Sequence, residues 1–195
     1  MKARDGVTAG AVLLGLALLP PVRQAAESSM SAHMLVQYPA LLAAGALLAS
    51  SPDRPRRCLA SMQRWNELGI AGLLACALTL AVLMVPRVLD LALVDWRAET
   101  LKLIALVVAG AALRVSWGRA GTVVHAFFLG NVLPMMAVVG TLYQDSTTRV
   151  CNAYLLDDQH RLGAALVWMA LGLATGWLLR LACRLRSGQA RVEVV

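Results

Sequence analysis

The chain has 195 residues, of which 59% are hydrophobic and 15% charged, with a formal net charge of +7. Soluble domains run about 45–50% apolar and about 25% charged, so this composition excludes a water-soluble globule, a disordered chain and a disulfide scaffold, and points to an integral membrane protein. The basic excess marks one side of a bilayer rather than a nucleic-acid partner, because no Lys/Arg run is interleaved with aromatic residues.

A bilayer core of about 30 Å is crossed by about 20 mostly apolar residues in a helix. Charge-free stretches place the spans in chain order. Gly6–Val22, between Asp5 and Arg23, predicts a span over 6–23. It also has the layout of a signal peptide, with a basic start, an apolar run and then Pro20 and Pro21, but is read here as a retained span. Ser28–Pro52 predicts a second span over 30–50, and Leu68–Pro86 a third over 68–86. The fourth is interrupted, since only Leu103–Leu113 is free of charge. Extended over 98–117 it is long enough, with Lys102 and Arg114 snorkelling toward opposite surfaces and Trp96 and Trp117 as interfacial anchors. Ala120–Gln144 predicts a fifth span over 120–143, and Leu162–Leu179 a sixth over 162–183. The fold class is therefore all-α: one polytopic transmembrane domain, 1–195, of six helices.

Charge counting orients the bundle. With six crossings and the N-terminus inside, 12 of the 18 basic residues fall inside, giving a net +8 there and −1 outside. That split follows the positive-inside rule and puts both termini in the cytoplasm. The inner segment Ser51–Arg64, with Pro52, Pro55, Arg56 and Arg57, reads as a solvated or headgroup-contacting loop. The longest outer loop, 144–160, carries Cys151, Tyr154, Asp157, Asp158, Gln159 and His160. Cys151 is the only outer cysteine, so no intramolecular disulfide is expected in the oxidising compartment. Gly172 and Gly176, spaced small-xxx-small, read as packing within the chain.

Polar and soft residues inside the spans are the informative ones. Met30, His33, Met34 and Gln37 stand at i, i+3, i+4 and i+7, one stripe at the outer end of the second span. His160 opens the last span at the same depth, and Met135 and Met136 lie in the outer half of the fifth. Thioether and imidazole suit Cu(I), so these six groups are the candidate metal set; ordinary core packing is the competing reading. A bis-histidine haem would need His33 with His160, and haem is not expected. His125 and Asn131, with Pro134, make the fifth span polar and are read as bridges to neighbouring helices, a proton or metal role being the alternative. Adjacent Asp157 and Asp158 read as an interfacial turn. No nucleophile–base pair, phosphate loop or buried carboxylate pair is visible, so an enzyme is not expected.

Three patches resemble one family. Ser31-Ala32-His33-Met34-Leu35-Val36-Gln37-Tyr38 resembles the histidine-rich start of a span in CtaG-type cytochrome c oxidase assembly factors. Val124-His125-Ala126-Phe127-Phe128-Leu129-Gly130, then Leu133-Pro134-Met135-Met136, is similar to that family's His-Ala-Phe-x-Gly helix. Asp158-Gln159-His160-Arg161-Leu162-Gly163-Ala164, followed by Trp168, is similar to its Asp-Gln-x-x-Gly-Gly…Trp entry to the next span. The patches keep the family's order and lie within 28–184. Two features depart from the pattern. Gln37 and Tyr38 stand where the family has a second histidine, and Trp96–Leu101 lacks the family's histidines.

The resemblance implies a multi-pass protein of the bacterial inner membrane that helps load copper into, or assemble, a respiratory haem–copper oxidase. It would place His33 in the metal site, with Met34 and His125 as further motif positions. The missing histidines suggest the alternative of a non-catalytic subunit or scaffold of a membrane complex. Lipid and other membrane subunits, such as the oxidase, are the expected partners.

Overall fold

The computed structural model describes residues 3–50, 65–151 and 153–192, with side chains for 5–50, 65–151 and 153–186. The Ser51–Arg64 loop and Cys58 lie outside the described residues. Among the described residues the chain is all-helical. The helices are α1 (Ala3–Leu18), α2 (Pro20–Glu27), α3 (Met30–Leu48), α4 (Ile70–Leu83), α5 (Pro86–Val94), α6 (Trp96–Trp117), α7 (Thr122–Asp145) and α8 (Leu156–Val192).

Three helices, α3, α7 and α8 over Leu156–Arg186, are long and apolar enough to cross a membrane. Two bent pairs raise the number to five: α1 with α2, at 70°, and α4 with α5, at 76°. Both bends follow from proline. Leu19 and Val85 are held in extended backbone immediately before Pro20 and Pro86, which open the next helix. Proline donates no amide hydrogen and disfavours helical backbone in the residue before it. The predicted first span over 6–23 thus runs as a helix to Leu18 and bends there, and the residues after the predicted third span over 68–86 continue as the helix Pro86–Val94. The last helix starts six residues before the predicted 162.

α6 is the centre of the bundle, packing against α3, α4 and α5. α3 also packs on α1, and α7 runs along α8 while touching α4. Glycines allow two close helix crossings. A Cβ at Gly45 of α3 would collide with the Val107 carbonyl of α6, and one at Gly110 would collide with the Leu42 carbonyl. In the α7–α8 pair a Cβ on Gly140 would come within 2.7 Å of the Gly163 carbonyl. The expectation for Gly172 and Gly176 is corrected, since both face open space. Small residues lead to packing only where a second backbone comes close, and here Gly140 and Gly163 fill that role.

α3 contains a π-helical turn over His33–Gln37, in which the Tyr38 amide reaches back to the His33 carbonyl. The wider turn puts His33, Met34, Gln37 and Tyr38 together on the buried side.

Candidate functional site

Lys102 decides the geometry of the end of the bundle where α3, α6 and α8 begin. It does not snorkel to a surface, as its position near the start of α6 predicted; its side chain is 1% exposed. Its Nζ lies 2.6 Å from Glu99 Oε2, one turn back on the same helix. It donates to His33 Nε2 at 2.7 Å and to Gln37 Oε1 at 3.2 Å, both on the π turn of α3. Glu27, the last residue of α2, brings a second carboxylate to 4.0 Å. A buried ammonium is strongly disfavoured without such partners, and this one has two carboxylates, an amide and an imidazole.

The order of donors fixes the histidine. Lys102 has only protons to give, so His33 Nε2 accepts and Nδ1 carries the ring proton. Nδ1 then donates to the Tyr154 hydroxyl at 2.8 Å, which donates to the Glu27 carbonyl at 3.1 Å. Gln37 Nε2 donates to Glu27 Oε1 at 3.4 Å, and Arg23 stands 3.6 Å from that same oxygen. Among the described residues, the buried side-chain atoms without a hydrogen-bond partner are the two Glu99 carboxylate oxygens, of which Oε2 is held by its ion pair with Lys102.

Asp158 and Gln159 close this end of the bundle. Asp158 accepts from the Met30 and Ser31 amides and from the Ser31 hydroxyl, so a carboxylate of α8 caps the start of α3. Gln159 accepts from the Val150 amide at 2.9 Å and donates to the Tyr143 carbonyl at 3.2 Å. Tyr38 and Tyr143 donate to the carbonyls of Leu83 and Met84, which the bend between α4 and α5 leaves without helical partners. Cys151 is buried against the Pro86 carbonyl; burial, with Asp90 nearby, pushes its thiol up to about 12. Burial, with Glu27 nearby, holds the Tyr154 phenol above its usual range.

The structure unites part of the predicted set. Met30, His33, Met34 and Gln37 form one inward stripe, all buried. They face the core and not an outward-facing ring, because Lys102 and Tyr154 close over His33. His160 bonds to the Ser146 carbonyl at 3.2 Å. Met136 is buried in α7, and Met135 lines a cleft between α4 and α7. At the other end of the bundle, His125 stacks on Trp117 with centroids 4.1 Å apart and bonds to its carbonyl at 3.0 Å, joining α7 to α6. Asn131, predicted to bridge helices, instead donates to the Phe127 carbonyl of its own helix. The predicted interfacial turn at Asp157 and Asp158 is the first turn of α8, with Asp158 reaching α3.

Glu27, Glu99, Lys102 and Tyr154 were missing from the predicted site. The signal for two of them was present: Glu99 and Lys102 are opposite charges one helical turn apart inside an apolar segment, the spacing of an ion pair.

Among the described residues no three His, Cys, Asp or Glu groups are placed to hold a metal. Copper does not fit His33 as it stands, because both ring nitrogens have protein partners and one of them touches an ammonium. No family model matches the chain, and no curated protein or solved structure does.

Proposed function

We propose that the chain is a non-catalytic, six-span membrane protein that helps to assemble or hold together a larger membrane complex, with both termini cytoplasmic. The three patches that resemble the CtaG-type family make a respiratory haem–copper oxidase of a bacterial inner membrane the first complex to test. The sixth crossing is α6, whose four charged residues, Arg97, Glu99, Lys102 and Arg114, keep it outside the most apolar class. Pairing Glu99 with Lys102 removes the main obstacle to burying that helix.

One observation carries the proposal. The histidine at the heart of the resembling motif is the hub of an internal clasp joining α3 and α6 to the loop before α8. Such a site stiffens the bundle and offers no reacting group to a substrate. The faces left to neighbours are apolar. Clefts of about 390 Å³ between α4 and α7 and about 320 Å³ between α7 and α8 are lined almost wholly by hydrocarbon.

The test is a deletion strain together with gentle extraction of the tagged protein. The expected result is loss of assembled oxidase, seen in its haem absorption, restored equally by the wild type and by His33→Gln. The tagged protein is expected to migrate with oxidase subunits. Normal oxidase in the deletion strain, with the protein migrating alone, overturns the proposal. Restoration by the wild type but not by His33→Gln, reversed by excess copper, points instead to copper loading.

A further inference from the structure

Asn131 stands near the middle of α7, exposed, in the cleft between α4 and α7. A carboxamide offers two N–H donors and one acceptor oxygen. Among the described residues one N–H is used, on the Phe127 carbonyl of its own helix at 2.7 Å, and the other N–H and Oδ1 have no partner. Hydrocarbon supplies neither a donor nor an acceptor at that depth, so such a side chain in a span belongs at a contact between helices. Around it the exposed positions of α7 form one stripe: Val123, Phe127, Asn131, Pro134, Val138 and Leu142. They follow one another in steps of three and four, the spacing of a seam along which a second helix packs. Exposed Leu74 and Leu78 of α4 form the opposite wall of the cleft. Gly130, beside Asn131, has nothing within 4 Å of where a Cβ would stand, so another backbone can come close.

We propose that this face is the contact between two copies of the chain, with α7 of each seated in the cleft between α4 and α7 of the other and the two Asn131 carboxamides hydrogen-bonded together. A carboxamide is its own complement: the free N–H of each donates to Oδ1 of the other, so both unmet groups are answered at once. Copies in one membrane share one orientation, so a two-fold axis between them runs along the bilayer normal. Each residue of α7 then meets its counterpart at the same depth, the same patch serving both copies. A foreign helix would have to bring a donor and an acceptor to that level. The cleft, about 390 Å³ and lined almost wholly by hydrocarbon, takes the apolar ridge of the facing α7. The pair needs no other subunit, so it stands whether or not the chain assembles an oxidase.

The experiment places the full chain, carrying a donor or an acceptor fluorophore at its C-terminus, in phosphatidylcholine vesicles and follows energy transfer as the protein is diluted in lipid. The wild type is expected to titrate as a dimer. Asn131→Leu is expected to weaken that dimer about tenfold, while Asn131→Gln, which keeps the carboxamide, retains most of it. Helix content by circular dichroism is expected to stay unchanged in both, because the side chain is exposed. A second measurement locates the contact. With Cys58 and Cys183 replaced by serine and the buried Cys76 and Cys151 kept, oxidation with iodine is expected to link Phe127→Cys into a dimer. Leu171→Cys, equally open on α8, is expected to stay unlinked. A wild type that is monomeric at every dilution overturns the proposal. So does an Asn131→Leu protein that pairs as tightly as the wild type, or linkage through Leu171→Cys in place of Phe127→Cys. Association seen only after oxidase subunits are added assigns the face to a foreign helix and overturns it too.

Discussion

At the scale of single residues, burial determines reactivity. Cys151 illustrates this because it lies in the loop before α8, where a thiol would be expected to meet water. Its pKa of about 12 leaves it almost wholly protonated at pH 8, and only the thiolate attacks an alkylating reagent. In single-cysteine variants, maleimide should therefore label Cys151 roughly a thousandfold more slowly than a cysteine placed at exposed Ala153 at pH 8. Its rate should climb with pH toward 12, because raising pH through that value releases the thiolate. Equal rates at pH 8 would show that loop to be open. The methionine–histidine stripe was legible in the sequence because its members are neighbours on one helix. Its partners were not. Tyr154 lies 121 residues from His33, and Lys102 lies 69, and nothing local to either residue announces the encounter.

At the scale of elements, helix existence was legible and helix direction was not. Counting charge-free residues treats Leu18, Leu19 and Pro20 alike, while the backbone turns by 70° there. Proline pairs after an apolar run carried that signal. The close crossing of α3 and α6 was also hidden, because Gly45 and Gly110 are unremarkable until the two helices meet. It gives a direct test. Gly110→Ala places a methyl group against the Leu42 backbone, which cannot yield as a side-chain end can. Thermal unfolding in detergent should show Gly110→Ala destabilised by about 1–3 kcal/mol, while Gly172→Ala, in open space, stays within about 0.5 kcal/mol. A neutral Gly110→Ala would mean that the helices do not cross as closely as described. The π turn belongs to this scale as well. It widens one turn of α3 where His33 and Gln37 must both reach Lys102.

For the whole molecule, orientation is the open prediction from charge. If the basic side is cytoplasmic, cysteines introduced at Ala153 and Arg119, both exposed, face opposite compartments. An impermeant thiol reagent added to intact cells should label Ala153→Cys and reach Arg119→Cys only after permeabilisation. The reverse pattern would invert the bundle, and labelling of both from outside would remove a crossing between them. The all-helical class followed from the length and uniform apolarity of the charge-free stretches. The number of crossings did not, because α6 combines four charges with a central, buried position.

The bonds from Asp158 and Tyr154 to the start of α3 also set a sequence in time. They join residues more than 120 positions apart, and a growing chain inserts its early helices well before α8 exists. Until then the first amides of α3 lack their carboxylate and His33 lacks its phenol. Long-range closures of this kind come late in folding. The α8 segment therefore acts as the latch of the nascent protein: the earlier helices can form and pack, but the end of the bundle around His33 is sealed only when α8 arrives.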